Sequence, residues 1–438
     1  MSGKRNYDPI IFCQYESLNM EDFVVATYLM SAETTDVLMR AGAVAVEQTT
    51  GTWARVPDET EEVRQKHVGR VISVYNIPGY EISCPDRIRT CIVQIAFPWR
   101  NFGQQMPEML SSVFGNISLV DNLKLLDLYF PKSFVDGFKG PKFGTQGLRD
   151  LLGIQDRPLT MAMIKPCTGI PVDVIERQFY NLAVAGVDII KDDELIADPV
   201  HAPYYERLEA CLRASDKAFK ETGKRTIYFP NITDRQDRMF EKAHKSIEMG
   251  AQALMINAHA SGYGCLTALS CDESINVPLL AHPCYGGASF LSPTTGMSSS
   301  LVFGKYMRLE GADIVVYNCA YGKVPGLVDR YVRIGQSLLS KFYDLKPAFP
   351  SPAAGLHPGM VPTVMSDLGP DTLLGAGAGM HAHPMGMKAG IDALLQAAEA
   401  WKLNIPLEEY GKDHPELQAA LDIWGVYDPH KSIFELTK

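Results

Sequence analysis

The stretch GVDIIKDDE, residues 186–194, is an apolar run that ends in one lysine and three acidic residues. A short β-branched segment bounded in this way is typical of a buried strand. Eight runs of this kind follow one another: LTMAMIKP (159–166), VDIIKDDE (187–194), RTIYFPNIT (225–233), ALMINA (253–258), VPLLAHP (277–283), ADIVVYN (312–318), KPAFPSPAAG (346–355) and DTLLGAGAG (371–379). Amphipathic segments with helical spacing separate them, and several end in glycine. The pattern predicts a (β/α)8 barrel over residues 141–438, with a C-terminal helical tail.

The first 140 residues lack this alternation. Possible strands, such as FVVATYLM (23–30) and RVISVYNI (70–77), are mixed with helix-like segments such as QMPEMLSSVFGN (105–116). We therefore expect residues 1–140 to form a separate α+β domain of the ferredoxin-like kind. The segment YFPKSFVDGFKGPKFG (129–144), rich in glycine, proline and aromatic residues, is the expected connection.

Composition narrows the classes of partner. The 438 residues are 46% hydrophobic and carry a net charge of −10, with no basic run interleaved with aromatic residues, so nucleic acid is not an expected partner. No apolar run reaches the roughly 18 residues of a membrane span, and we expect a cytoplasmic protein without membrane contact. The nine cysteines are scattered and form no CxxC pair, which favours reduced thiols over a zinc site or a disulfide framework.

Polar residues stand where the predicted strands end, which is where barrel enzymes carry their active sites. They are Lys165 after the first strand, Lys191, Asp193 and Glu194 after the second, Asn231 after the third, His282 after the fifth and Lys323 after the sixth. Alternation along the second strand puts Lys191 and Asp193 on one face and Asp192 on the other. Two neighbouring carboxylates suit Mg²⁺, but a plain ion pair with Lys191 explains the same residues, and both interpretations stay open here.

The loops after the seventh and eighth strands, AAGLHPG (353–359) and GAGAGMHAHPMG (375–386), are rich in glycine. Glycines here match the phosphate pocket of such barrels, where backbone N–H groups approach an anion. A dinucleotide fold is not indicated, because GAGAGM follows the last strand instead of opening a βαβ unit. The pair His381 and His383 suggests metal ligands, but a structural role is favoured because no third ligand stands beside them.

Taken together, these residues give the chain a resemblance to the RuBisCO large-chain superfamily over nearly its whole length. GVDIIKDDE resembles the activation motif of that family, which implies a CO₂-derived carbamate on Lys191 and Mg²⁺ held by Lys191, Asp193 and Glu194. MIKP implies Lys165 as the proton-transfer lysine, and GADIVVYNCAYGKVPG (311–326) implies Lys323 as the lysine of a mobile loop. AVEQTTGTW (45–53) and GN (115–116) resemble the segments that contact substrate in a partner subunit, which implies substrate-binding roles for Glu47, Thr52 and Asn116, with Trp53 beside them, and at least a homodimer.

The departures from that family are specific. Where a carboxylase has a second lysine, an arginine, a histidine and a serine, this chain has, respectively, Cys167, Pro283, Val316 and Ala353. Replacing an arginine by Pro283 removes a charge-assisted fork for phosphate. The pattern resembles the RuBisCO-like proteins, form IV, which enolise, isomerise or decarboxylate other phosphorylated keto compounds, including intermediates of methionine salvage and of unusual sugar breakdown.

The resemblance implies a Mg²⁺-dependent lyase or isomerase that enolises a small phosphorylated keto-sugar or keto-acid. The expected catalytic residues are Lys165, Lys191, His282 and Lys323, and the expected phosphate site consists of Gly355, Gly377 and Gly379. Simpler roles compete for three of them: Lys165 as a charge partner of the acids, His282 as a satisfied core histidine, and Lys323 as a solvated charge. Two other functions also compete, a working ribulose 1,5-bisphosphate carboxylase and a non-catalytic regulatory or stress-response protein on the same fold.

Overall fold

The computed structural model describes residues 7–33, 36–51, 56–82, 87–120 and 122–428. The chain divides into two compact units, Met1–Phe138 together with Gly286–Val302, and Lys139–Tyr285 together with Phe303–Lys438. Each unit has its own sheet and its own buried core. Within the described ranges, no helix is long and apolar enough to cross a membrane.

The first unit is built on an antiparallel sheet. Its strands are β1 (Phe23–Glu33), β2 (Arg70–Ile77), β3 (Ile88–Pro98) and β4 (Leu123–Tyr129), in the order β4-β1-β3-β2, and a two-residue strand at Gly296–Met297 pairs with β4 in parallel. The helices are α1 (Val37–Glu47), α2 (Glu61–His67), α3 (Met106–Phe114) and the single turns Lys132–Val135 and Gly287–Phe290. The chain order βαββαβ with this strand order is the ferredoxin-like arrangement, so the predicted α+β class is confirmed. The contribution of residues 286–302 to this unit was not indicated by the sequence.

The start of α1 shows how local sequence defines an element. Asp36 accepts a hydrogen bond from the Met39 backbone N–H at 2.9 Å, which caps the first turn of the helix. Val37, Ala41, Val44 and Ala45 then recur at helical spacing and are buried. Glu47 is the last residue of α1, and its side chain lies off this buried face and is exposed.

The second unit is a ring of eight parallel strands. They are β5 (Leu159–Met163), β6 (Ile189–Lys191), β7 (Ile227–Phe229), β8 (Leu254–Ile256), β9 (Leu279–Ala281), β10 (Ile314–Asn318), β11 (Phe349–Ala353) and β12 (Leu373–Ala376). Ladders join β12-β5-β6-β7 and β8-β9-β10-β11, and a parallel bridge between Asn231 and Met255 connects β7 to β8. The strands β11 and β12 lie side by side, since a Cβ on Gly375 would stand 3.2 Å from that of Ala353. The predicted (β/α)8 barrel is confirmed.

Apolar side chains fill the interior of the ring. Fourteen buried residues form this core: Leu148, Leu159, Met161, Ile189, Ile227, Phe229, Ala253, Met255, Leu280, Ile314, Val316, Phe349, Ala353 and Leu373. Most come from alternate positions of the strands, as expected for a packed barrel interior. Val316 and Ala353, two of the departures from the carboxylase pattern, therefore belong to the hydrophobic core.

Helices surround the ring. The α-helices of five residues or more are Gly144–Leu152, Val172–Ala185, Tyr204–Thr222, Gln236–Glu248, Cys265–Cys271, Tyr306–Glu310, Val328–Leu339, Val361–Leu368, Met387–Leu403 and Pro415–Trp424. Single turns lie at Ala258–Ser261, Ala378–His381 and Leu407–Tyr410. Val172–Ala185 ends at Gly186, whose φ of +95° is the left-handed conformation that closes a helix without a Cβ penalty.

Asp313 ties several elements together at the amino-terminal end of the barrel strands. Its carboxylate accepts the backbone N–H groups of Phe143 and Gly144, each at 2.7 Å, and of Leu279 at 2.9 Å. The side chain is fully buried, and burial raises its pKa to about 6, so the carboxylate is ionised at pH 8. Contacts at this end of a barrel serve stability, because the active sites of barrel enzymes lie at the other end.

We predict that Asp313→Ala destabilises the second unit strongly. Three buried N–H groups would lose their acceptor, at a cost of about 3 kcal/mol. At about 2 °C per kcal/mol for a unit of this size, the unfolding midpoint should fall by roughly 6 °C in scanning calorimetry at pH 8. The control is Asp329→Ala, an exposed residue that pairs with Arg330 at 3.5 Å, which should stay near the wild-type midpoint. Equal midpoints for the two variants would contradict this role of Asp313.

Candidate active site

Lys191 is the last residue of β6, and its ammonium group lies inside the mouth of the barrel. The Nζ atom donates to the backbone oxygen of Asp192 at 2.9 Å and to Oε2 of Glu194 at 3.3 Å. Only 1% of the residue is exposed, whereas the Glu194 side chain is 31% exposed. A buried ammonium beside a carboxylate that solvent reaches is the centre of the candidate site.

Lys165 lies on the neighbouring strand end and pairs with the second carboxylate. Its Nζ atom stands 2.9 Å from Oδ2 of Asp193 and 2.7 Å from Sγ of Cys167. Burial alone would lower the pKa of the Lys165 ammonium, but the hydrogen bonds to Cys167 and Asp193 outweigh it and raise that pKa above its usual value. In this arrangement Lys165 carries its proton.

His282 follows β9 and contacts the same carboxylate as Lys191. Its Nε2 atom lies 3.2 Å from Oε2 of Glu194, and its Nδ1 atom accepts the Cys284 backbone N–H at 3.3 Å. Burial, together with the charge of Lys191, holds the pKa of His282 well below its usual value. The imidazole is therefore neutral, with the proton on Nε2, and its contact with Glu194 is a hydrogen bond instead of an ion pair.

The charge on Glu194 results from opposing effects. Burial alone would raise the pKa of its carboxyl, but the ammonium groups of Lys191 and Lys165 outweigh burial and lower that pKa below its usual value. Two lysines thus balance two carboxylates, and the four charges sum to zero. The charge balance alone therefore does not distinguish a plain ion-pair cluster from a metal site.

Asp192 points away from this cluster, as the strand alternation predicts. Its Oδ1 atom accepts the Tyr228 hydroxyl at 2.6 Å, and its Oδ2 atom accepts the Asn231 backbone N–H at 2.9 Å and two N–H groups of Arg207 at 3.1 and 3.2 Å. The Asp192 and Arg207 side chains are both fully buried. Arg207 also donates to the backbone oxygens of Ala202, Ile196 and Ala197, so it fixes the loop that follows the site.

Two asparagines hold the backbone of the acidic segment. Asn231 donates to the carbonyl oxygens of Asp193 and Glu194 at 3.3 and 3.4 Å, and Asn257 donates to that of Glu194 at 3.1 Å. The sequence marked Asn231 as a strand-end residue but did not mark Asn257. Its position near the end of the fourth run, directly after the observed strand β8, was the available signal.

The structure also brings the predicted loop residues together. The Lys323 backbone N–H donates to Ala354 O at 2.9 Å, which joins the loops after β10 and β11, while the Lys323 side chain is exposed. A Cβ on Gly355 would stand 2.6 Å from the Lys323 nitrogen, and one on Gly379 would stand 2.4 Å from Leu356 O. A Cβ on Gly377 would lie 3.2 Å from Cε of Lys165. Close packing of the loops already requires glycine at Gly355 and Gly379, and phosphate binding there stays a prediction.

Two of the predicted N-terminal residues meet within the first unit. Asn116 Nδ2 donates to Oε1 of Glu47 at 3.3 Å, and both side chains are exposed. Glu47 also lines a cavity of about 190 Å³ between α1, β1 and β4. Thr52 and Trp53, the other two residues of that prediction, lie outside the described residues.

The pair His381 and His383 has structural partners. His381 Nε2 bonds the backbone oxygen of Met163 at 2.9 Å, and His383 Nε2 bonds that of Glu416 at 2.9 Å. In the described part of the chain, no group of three or more His, Cys, Asp or Glu side chains is arranged to hold a metal ion. Lysine is not among these residue types, so a ligand set made of Lys191, Asp193 and Glu194 is a separate case.

Comparison with known proteins agrees with this architecture. Residues 144–424 match the family model for the ribulose bisphosphate carboxylase large chain, catalytic domain, and residues 13–134 match that for its N-terminal domain. A ribulose bisphosphate carboxylase-like protein of Archaeoglobus fulgidus is 47% identical over 394 residues, covering 88% of this chain and 89% of that protein. The 2,3-diketo-5-methylthiopentyl-1-phosphate enolase of Geobacillus kaustophilus is 37% identical over 408 residues, covering 92% and 98% of the two chains.

A solved structure is similar over the same length. The crystal structure of the rubisco-like protein MtnW from Alicyclobacillus acidocaldarius matches with a TM-score of 0.85 and 37% identity, covering 92% of this chain and all of that one. The chain therefore belongs to the ribulose bisphosphate carboxylase large-chain family, and within it to the RuBisCO-like proteins, form IV. The relatives of Geobacillus kaustophilus and Geobacillus thermodenitrificans are named as enolases, whereas similar solved structures at 28–31% identity include ribulose-1,5-bisphosphate carboxylase/oxygenases.

We predict that Arg207→Met destabilises the barrel and loosens the loop after the site. Removing one partner of a buried ion pair leaves Asp192 uncompensated, at a cost of about 3–5 kcal/mol. Amide hydrogen exchange in residues 192–202 should accelerate, because the loop carbonyls lose their donor. The matched control is Arg213→Met on the same helix, 54% exposed, which should cost no more than about 1 kcal/mol. Similar exchange in the two variants would contradict the anchoring role of Arg207.

Proposed function

We propose that this protein is a Mg²⁺-dependent enolase that acts on a small phosphorylated keto compound and is not a CO₂-fixing carboxylase. The observation that carries the proposal is the pairing of Lys165 with Asp193 and of Lys191 with Glu194 at the carboxyl ends of β5 and β6. Lysines and carboxylates in this arrangement supply both a metal site and a group that moves protons. The enolase names of full-length relatives support the same class of reaction.

The residues fit a carbamate and a divalent cation by charge. A carbamate on Lys191 would replace one positive charge by one negative charge. The cluster of Lys165, Lys191, Asp193 and Glu194 would then carry two net negative charges, which Mg²⁺ neutralises. Carboxylate and carbamate oxygens are also the hard ligands that Mg²⁺ prefers. Lys191, Asp193 and Glu194 would hold the cation.

Bound at this site, the cation would polarise the substrate carbonyl and lower the energy of the enolate. The chain's own residues would do the rest. A carbamate on Lys191 would supply a base for the proton on the carbon next to the carbonyl, and Lys165, which carries its own proton, would return one there. His282, neutral and protonated on Nε2, is arranged to donate a hydrogen bond to an oxygen at the mouth. The backbone N–H groups near Gly355, Gly377 and Gly379 bind the phosphate, and the exposed Lys323 contacts the substrate from its loop.

The departures from the carboxylase pattern support enolisation without carboxylation. Cys167 stands where a carboxylase has a lysine, and Pro283 stands where it has an arginine that grips a phosphate. A proline offers neither a side-chain charge nor a backbone N–H in return. The residues that would form an enolate are retained, whereas those that bind a second phosphate and steer carboxylation are absent.

We predict that the wild-type protein exchanges deuterium into a carbon next to a carbonyl. The assay is proton NMR in D₂O with Mg²⁺, bicarbonate and a panel of phosphorylated ketoses, diketones and keto acids. Lys191→Ala should abolish exchange because the metal site is lost, and Lys165→Met should slow it by about 10²–10⁴-fold because the proton-transfer group is lost. Ribulose 1,5-bisphosphate should give no incorporation of labelled CO₂.

The matched control is Lys220→Met, an exposed lysine in the last turn of Tyr204–Thr222, which should keep the wild-type exchange rate. Exchange that persists in Lys191→Ala would contradict the proposed site. If no compound exchanges and cells with Lys191→Ala behave as wild type, the non-catalytic function is favoured instead. Detectable CO₂ fixation would restore the carboxylase interpretation.

We further propose that the functional unit is at least a homodimer, in which Glu47 and Thr52 of one subunit complete the site of its partner. The pair Glu47–Asn116 supports this, because both polar side chains are exposed and can contact a ligand at the surface of the first unit. In a closed twofold assembly each subunit would give and receive the same segment.

Mixing two inactive variants tests this arrangement. Glu47→Gln and Lys191→Ala should each be inactive alone, but heterodimers formed by co-refolding contain one intact site and one doubly altered site. An equal mixture should therefore recover about one quarter of the wild-type activity. Glu62→Gln, an exposed residue of α2, should be active without mixing. A mixture that stays inactive, or an active monomer in sedimentation, would refute the shared site.

A further inference from the structure

Cys167 has a distinctive place in the candidate active site. Its Sγ atom lies 2.7 Å from Nζ of Lys165, and Oδ2 of Asp193 lies 2.9 Å from the same nitrogen. Nothing else among the described side chains hydrogen-bonds that ammonium group. Lys165 is therefore held by one carboxylate and one thiol.

The loop that carries Cys167 is itself fixed from a second element. The Gly169 backbone N–H donates to Nε2 of His201 at 2.9 Å, and the Thr168 hydroxyl lies 3.3 Å from the same nitrogen. His201 belongs to the loop after β6, which Arg207 anchors through the carbonyls of Ile196 and Ala197. The position of Cys167 relative to Lys165 is thus set by the scaffold and not by the thiol contact alone.

Asp193 and Cys167, the two hydrogen-bond partners of Lys165, differ in their other proposed roles. Asp193 is a proposed metal ligand, and a carboxylate that faces a divalent cation has less negative charge to offer a neighbouring ammonium. Cys167 is not a proposed metal ligand, and its sulfur accepts a hydrogen bond from the Lys165 ammonium. A lysine at this position, as in a carboxylase, would bring a second ammonium group against the first.

We propose that Cys167 is the positioning residue for Lys165, holding its amine at the reacting face of the substrate while Asp193 serves the metal. The inference rests on the proposed enolase function for its catalytic consequence, but the contact itself does not depend on that function. A misplaced proton-transfer group slows chemistry with little effect on substrate binding, because the phosphate and metal contacts lie elsewhere.

The test compares four substitutions in the full-length protein with Mg²⁺ and bicarbonate. Cys167→Ala and Cys167→Val remove the hydrogen-bond acceptor and should lower kcat for deuterium exchange about tenfold, with KM changed less than about twofold. Cys167→Ser keeps an acceptor and should restore kcat to within about threefold of wild type. Cys271→Ala, at an exposed cysteine that ends the helix Cys265–Cys271, is the matched control and should behave as wild type.

A second readout does not require turnover. Limiting acetic anhydride acetylates lysines in proportion to how freely each amine meets the reagent, and peptide mass spectrometry gives the labelling of Lys165 relative to the exposed Lys220. This ratio should rise about threefold in Cys167→Ala and Cys167→Val but not in Cys167→Ser, because the amine loses a partner. Unchanged kcat together with an unchanged labelling ratio in Cys167→Ala would overturn the proposal. If the wild-type protein exchanges deuterium into no substrate but the labelling ratio still rises in Cys167→Ala, the positioning contact is supported and the enolase function is contradicted.

Discussion

The geometry of the candidate site depends on an ion pair that lies outside it, between Asp192 and Arg207. Both side chains are fully buried, and removing such charges from water is costly unless hydrogen bonds satisfy every remaining atom. Here Tyr228, the Asn231 backbone and three loop carbonyls do so. Successive side chains of a strand point to opposite faces, so fixing Asp192 on the outer face fixes Lys191 and Asp193 on the inner one. We infer that the pair specifies orientation more than it adds stability.

Much of the fold could be predicted because parallel barrel strands are buried on both sides and so appear as continuous β-branched runs. All eight runs contain an observed strand, although β6 is only three residues, Ile189–Lys191. The assignment of residues 286–302 to the first unit could not be predicted in the same way. Its strand is two residues long, Gly296–Met297, and no hydrophobic period can be recognised in two residues.

The site was predictable where it depends on one strand end and unpredictable where it depends on tertiary contacts. Alternation alone separates Asp192 from Lys191 and Asp193. Arg207, Tyr228 and Asn257 come from other elements, and no local pattern connects them to residues 191–194. The glycine-rich loops show a different limit of prediction from sequence. Gly379 is required because Leu356 O approaches it too closely to admit a Cβ. A glycine that admits a ligand and one that admits another stretch of chain look alike in a sequence.

On this fold, we infer that the number of positively charged side chains at the mouth of the barrel determines the chemistry of the candidate site. A second phosphate on a substrate is a dianion that needs a charge-assisted donor, and Pro283 provides neither charge nor N–H. An enolate develops one negative charge, which a single divalent cation and the protonated Lys165 can balance. Exchanging a lysine for Cys167 removes a further positive charge and gives Lys165 a hydrogen-bond acceptor that an ammonium group does not offer. Under the proposed function these losses are selective: they would weaken the binding of a bisphosphate and keep Lys165 for proton transfer, which favours a substrate with one phosphate over ribulose 1,5-bisphosphate.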